Sequence, residues 1–276
     1  MLRVLAASLA VIALGAGDDR IEIAPGVMMP RVNAGHPDEG GHDKGNETAS
    51  ALAWFAAGGR GLDTALDYHN QDQVAVAVAA SGLKREEIFL TTKISGRCTA
   101  RVAQKAIDED LALLQTSFVD LLLHHFPCPS REGTIEVWLV LQAAYANGQA
   151  RAIGVSNYAI DDLDAILGLP GVPPAVNQCQ MSIGSHDDRT IGYCRAHNIT
   201  YQAYSPLSHV DLTDPRIAAV AAAHAKSAAQ VALKWVVQQD IILATSPGTN
   251  RDFVKQDLEL GSFTLTQQEM KTLSDM

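Results

Sequence analysis

Short apolar runs recur along the chain at intervals that suit alternating strands and helices. Runs that read as buried strands are Arg31 to Gly35, Gly61 to Ala65, Glu87 to Lys93, Val119 to His125, Ala152 to Ser156, Ala175 to Gln178, Ile199 to Tyr204 and Ile241 to Thr245. Between most of them lie Ala-, Leu- and Val-rich stretches with helical spacing: Thr48 to Ala57, Gln73 to Ala80, Val102 to Leu114, Glu136 to Ala146 and Ala228 to Val237. Continuous apolar strands alternating with helices imply a parallel sheet buried on both faces. Eight such units in 276 residues, against roughly 250 for a closed eight-stranded barrel, predict a (β/α)8 TIM barrel of the α/β class. A Gly-rich dinucleotide fingerprint does not open the first helix, which argues against an open doubly wound sheet. The hairpin-like segment Ile21 to Met29 supplies a natural start.

Four polar side chains fall where predicted strands run out or just beyond: Asp63, Tyr68, Lys93 and His125. Barrel enzymes keep their chemistry at the C-terminal ends of their strands. His125 follows His124, and alternation alone leaves open which imidazole faces the mouth, because adjacent strand residues point to opposite sides.

Composition adjusts the picture in three places. A net charge of −10 argues against general affinity for nucleic acid or anionic membrane. Residues 1–17 carry one Arg and an apolar run from Val4 to Ala16, the pattern of a signal peptide, too short for a comfortable membrane span. The expected organisation is thus a signal at 1–17 and one barrel domain at 18–276, which would put the mature protein in the secretory pathway or outside the cytoplasm; without cleavage it would be cytoplasmic. Cys98, Cys128, Cys179 and Cys194 lack CxxC spacing, so metal binding is not expected, disulfides are undecided, and buried thiols are the default.

Ordered motifs then carry a family resemblance. Gly61-Leu62-Asp63-Thr64-Ala65 with Tyr68, Thr91-Thr92-Lys93, Val119 to Pro127, Ile153 to Tyr158, Val176-Asn177-Gln178, Ala203 to Leu207 and Ala229 to Trp235 resemble the successive signatures of the aldo-keto reductases. The resemblance implies NAD(P)H-dependent reduction of an aldehyde or ketone to an alcohol. Such a reaction needs a hydride at carbon and a proton at the oxygen that becomes negative. Tyr68 is the expected proton donor. An unperturbed phenol has a pKa of about 10, so a cation must help it, and Lys93 held by Asp63 is the candidate. His125 is expected to donate a hydrogen bond to the substrate oxygen and orient it.

By the same resemblance, Ser156, Asn157 and Gln178 are expected to bind the nicotinamide amide, Tyr204 to stack on its ring, and Ser205 and Leu207 to lie against the pyrophosphate. At the adenosine end the chain departs from the family. Ala244 to Arg251 lacks the usual Lys, leaving Ser246 and Arg251 as the expected contacts, with Lys255 a turn further on. A guanidinium can grip a phosphate bidentately, so NADPH is the expected cofactor, with NADH possible. Departures also touch the pocket: Gly35-His36-Pro37-Asp38 replaces the family's Trp after the first strand, and Gln180-Met181-Ser182 replaces a common Glu-Tyr-His. A less aromatic mouth predicts weak selectivity for small carbonyl substrates. The chain is expected to be a monomer without a stable membrane span. The alternative is a nicotinamide-binding regulatory protein with little turnover, like the potassium-channel β-subunits that resemble this family.

Overall fold

The structure, a computed structural model, describes residues 19–35, 46–95 and 98–276. The signal expected at 1–17 and the mouth segment His36 to Asp38 lie outside these residues. A hairpin of β1 (Arg20–Ala24) and β2 (Val27–Pro30) comes first. Eight parallel strands follow: β3 (Val32–Gly35), β4 (Gly61–Asp63), β5 (Phe89–Ile94), β6 (Val119–His124), β7 (Ala150–Ser156), β8 (Val176–Gln180), β9 (Thr200–Tyr204) and β10 (Ile242–Thr245). Each pairs with the next in sequence, and β10 pairs back onto β3 to close the barrel. The predicted strands and barrel are borne out, with ends shifted by one or two residues.

Helices wrap the outside: α1 (Glu47–Ala56), α2 (Gln71–Ala80), α3 (Ala100–Leu113), α4 (Arg131–Ala146), α5 (Ile160–Leu167), α6 (Asp188–Ala196), α7 (Pro215–His224), α8 (Ala228–Val237), α9 (Arg251–Leu258) and α10 (Gln267–Ser274). Their starts follow local chemistry. Ser227 with Gln230 and Thr266 with Glu269 form capping boxes, and Asp214 caps a helix whose first residue is Pro215.

Alternation along the strands sorts the core into two layers. Phe89, Leu121, Leu123, Ala152, Val176 and Ile242 point inward, and Ile23, Val27 and Met29 of the hairpin pack with them, plugging one end. Leu90, Leu122, Ile153 and Leu243 point outward against the helices, where Trp54, Trp138 and Trp235 are buried. Asp120 of β6 is also structural: its buried carboxylate accepts from the Leu90 amide at 2.9 Å and pairs with Arg85 at 2.8 Å and Arg151 at 3.0 Å.

The buried-thiol default needs correcting for one pair. Cys98, ahead of α3, and Cys128, in the loop before α4, form a disulfide with Cα atoms 5.7 Å apart. Their loops follow the neighbouring strands β5 and β6, which brings residues 30 apart in sequence within bridging range. Cys179 and Cys194 remain free thiols.

Gly154 shows how tight the barrel interior is. A Cβ there would meet the Val176 carbonyl oxygen at 2.5 Å and Leu123 Cδ2 at 2.9 Å. Backbone cannot yield as a side-chain tip can, so Gly154→Ala should cost about 1–3 kcal/mol of stability in urea unfolding; an unchanged midpoint would show that β7 and β8 have slack.

Candidate active site

At the end of the barrel away from the hairpin plug, the inward positions turn from apolar to polar. Leu121 and Leu123 give way to His125 after β6, Phe89 to Lys93 in β5, and Val176 to Gln178 in β8. Asp63 ends β4, and Tyr68 closes the 3-10 turn Leu66–Tyr68 just beyond.

Lys93 is the hub. Its ammonium, 1% exposed, forms an ion pair with Asp63 Oδ1, donates to the Thr64 carbonyl at 3.0 Å, and makes a long contact of 3.4 Å with Tyr68 Oη. The other oxygen of Asp63 accepts from Gln178 Nε2 at 2.6 Å and Gln202 Nε2 at 3.3 Å. Burial by itself would pull the Lys93 pKa down, but the Asp63 charge and the Tyr68 oxygen outweigh it, so the net direction is up. Lys93 is therefore a permanent cation at neutral pH, held against the phenol by a carboxylate whose oxygens are both occupied.

The two histidines separate as strand alternation requires. His124 turns outward, with Nδ1 2.7 Å from Tyr158 Oη, and burial pushes its pKa down to about 4. His125 turns to the mouth, its ring edge-on to Tyr68 with centroids 5.6 Å apart. Burial, then the Lys93 charge and His124, push His125 down to about 3, so the imidazole is neutral. The structure thus brings together Asp63, Tyr68, Lys93 and His125.

Four of the eight expected cofactor residues, Ser156, Asn157, Gln178 and Tyr204, are hydrogen-bonded into one rim beside this cluster, and Ser205 follows Tyr204 in the chain. Ser156 Oγ donates to the Gln178 carbonyl at 2.8 Å, and Asn157 Nδ2 donates to Ser156 Oγ and to the His125 carbonyl, both at 3.0 Å. Tyr204 Oη donates to Asn157 Oδ1 at 2.8 Å. Asn157 and Ser205 adopt left-handed backbone, with φ of 61° and 51°. Leu207 is partly buried against the outer core. At the barrel closure, Ser246 donates to the Gly35 carbonyl at 3.0 Å. Arg251 is exposed at the first position of α9 and makes no salt bridge with a described residue, whereas Lys255 pairs with Glu259 at 3.8 Å.

Four contributors went unmarked in the sequence: Thr64 through its carbonyl, Gln202, Asp67 and Ser95. Gln202 stands two residues before Tyr204, so alternation could have found it. Asp67 and Ser95 meet only across β4 and β5 and left no local signal.

Comparison with known proteins agrees with this architecture. The family model for the aldo/keto reductase family matches residues 41–276. Among curated relatives, morphine 6-dehydrogenase of Pseudomonas putida is 34% identical, covering 93% of this chain and 90% of its own length. Glyoxal reductase of Bacillus subtilis is 31% identical, covering 91% and 90%. Among solved structures, an aldo/keto reductase from Brucella melitensis superposes with a TM-score of 0.86 at 30% identity, over 93% of this chain and 98% of that one. A Bombyx mori aldo-keto reductase in complex with NADP gives 0.86 at 28% identity, over 93% and 92%. The chain belongs to the aldo/keto reductase family.

Two further carboxyls back the site from outside the barrel. Asp110 of α3 accepts from Thr92 Oγ1 at 2.7 Å, and Asp257 of α9 accepts from Thr245 Oγ1 at 2.9 Å. Burial raises each to about 7. A carboxyl raised in the folded state stabilises fully below its unfolded pKa of about 4, and that stability is lost as pH rises through about 7. Asp110→Asn and Asp257→Asn should each flatten the decline in unfolding free energy between about pH 4 and pH 7; an unaltered slope in both variants would show that these groups ionise freely.

Proposed function

We propose that the protein reduces a small aldehyde or ketone to the alcohol, with a nicotinamide cofactor and NADPH preferred over NADH. Family membership and the named reductase and dehydrogenase relatives support an oxidoreductase acting on carbonyls. The observation that carries the reading is the buried ammonium of Lys93 touching both Asp63 and the Tyr68 oxygen. A phenol gives up its proton readily only if something stabilises the phenolate. Lys93 does that electrostatically, and Asp63 keeps it in position and charged. Tyr68 is then the proton donor to the carbonyl oxygen, and His125, set edge-on to Tyr68, orients the substrate.

The donor set suits a flat ring bearing an amide. Ser156, Asn157 and Gln178 offer hydroxyl and amide groups side by side, and the half-buried Tyr204 adds an aromatic face. When bound there, the nicotinamide would supply the hydride. Arg251, exposed and without a salt-bridge partner among the described residues, is the proposed grip for a 2′-phosphate. Among the described residues no helix is long and apolar enough to cross a membrane. A monomer is the proposed solution state.

Tyr68→Phe should lower kcat/KM for small aldehydes by about 10²–10⁴-fold while leaving NADPH affinity, read by fluorescence titration, nearly unchanged; wild-type turnover would remove the proton-donor role. Arg251→Ala should weaken NADPH binding more than NADH binding, and equal losses for the two cofactors would remove the phosphate grip.

A further inference from the structure

The Cys98–Cys128 bridge ties the mouth together just where the barrel's own hydrogen bonding runs out. The His125 amide donates to the Ile94 carbonyl at 2.8 Å, and among the described residues no backbone bond joins the exits of β5 and β6 beyond it. One side-chain contact follows: Ser95 Oγ lies 2.9 Å from His125 Nδ1 and donates to Asp67 Oδ2. Three residues further along each exit stand Cys98 and Cys128. Cys128 is 8% exposed and Cys98 more so, and exposed Thr99, Pro129 and Ser130 flank them, so solvent reaches the bridge from the side of Cys98.

Helix α4 gives the two sulfurs different chemistry. A Cβ on Gly133, in the first turn of α4, would lie 3.2 Å from Cys128 Cβ and 3.4 Å from Cys98 Cβ, so the bridge rests directly on the N-terminal turn of a 16-residue helix. The positive end of a helix dipole favours negative charge beside it. A thiol in that setting ionises more readily, and a low-pKa thiol leaves faster in thiol exchange. Cys128, behind the more exposed Cys98, is the sulfur set to leave.

We infer that this disulfide is a reversible clasp, opened by a dithiol, that sets how well the mouth holds its substrate. The inference rests on the reading that His125 orients the substrate. A thiolate of the dithiol attacks Sγ of Cys98, the S–S bond breaks, and Cys128 departs as a thiolate. The dithiol's second thiolate then attacks its own bonded sulfur, which releases Cys98 and closes a cyclic disulfide. Two electrons and two protons pass to the bridge, which becomes two thiols as the dithiol is oxidised. The exits of β5 and β6 then keep the Ile94–His125 and Ser95–His125 contacts but lose their covalent tie. His125 and Phe126, stacked with ring centroids 4.6 Å apart, sit on the exit that is released. The bridged form is therefore the efficient one.

The test uses the full-length wild-type protein with dithiothreitol. Thiols are blocked by alkylation, and the Cys98 and Cys128 peptides are read by mass spectrometry while circular dichroism follows the fold. Both cysteines should become alkylated in folded protein. On reduction kcat/KM for a small aldehyde should fall by about 10- to 10²-fold, chiefly through KM, and return when oxidised dithiothreitol restores the bridge. The double variant Cys98→Ser, Cys128→Ser should match the reduced enzyme and ignore the dithiol, which separates the clasp from any effect at Cys179 or Cys194. Hydrogen-exchange mass spectrometry reads the loosening without turnover: peptides at the exits of β5 and β6 should exchange faster on reduction, and those of β8 and β9 should not. A bridge that yields only once the protein unfolds, or an unchanged or higher kcat/KM in the reduced, folded enzyme, overturns the proposal. If neither state turns over a carbonyl, it is carbonyl reduction that fails; exchange then decides the clasp, faster exits supporting it and identical exits overturning it.

Discussion

A buried ammonium is tolerable only if the fold surrounds it with oxygen, and much of this barrel's mouth is arranged around that need. Lys93 at 1% exposure has an ion pair, a carbonyl and a phenol for its three hydrogens. Asp63 is in turn saturated by Gln178 and Gln202 from the far side of the barrel, so strands β4, β5, β8 and β9 are linked through one charge pair. The apolar layer beneath, sealed by the hairpin, excludes water from below and makes each of these contacts electrostatically stronger. The polar layer therefore both stabilises the closed barrel end and creates a cation that a phenol can use.

Outward from this hub the polar contacts form a continuous shell. Gln178 links Asp63 to Ser156, Ser156 to Asn157, and Asn157 to both His125 and Tyr204. The residues proposed for proton donation and those proposed for ring binding share one hydrogen-bonded frame. A substitution at Gln178 or Asn157 would accordingly disturb catalysis and cofactor binding together, since neither set is anchored alone.

Much of this was legible in the sequence because strand ends are a physical landmark. An apolar strand that stops at Asp63, Lys93 or His125 has to put that group at a barrel rim, and the structure gathers all of them at the same one. The choice between His124 and His125 could not be read from alternation alone; the cores on either side decide it, with Leu121 and Leu123 inward and Leu122 outward. Contacts between loops of separate units stayed invisible. The Cys98–Cys128 bridge and the Asp67–Ser95–His125 chain join residues about a strand-helix unit apart, and nothing in local spacing marks them.

The central claim is that Asp63 and Lys93 act as one buried unit on which the mouth depends. A double-mutant cycle in urea unfolding, with Asp63→Asn, Lys93→Met and the pair, tests it most directly. Each single change should cost about 3–5 kcal/mol by stranding the partner, and the double variant should cost less than their sum by more than about 1 kcal/mol. Additivity to within about 0.5 kcal/mol would mean that the two charges do not support one another, and would contradict the account.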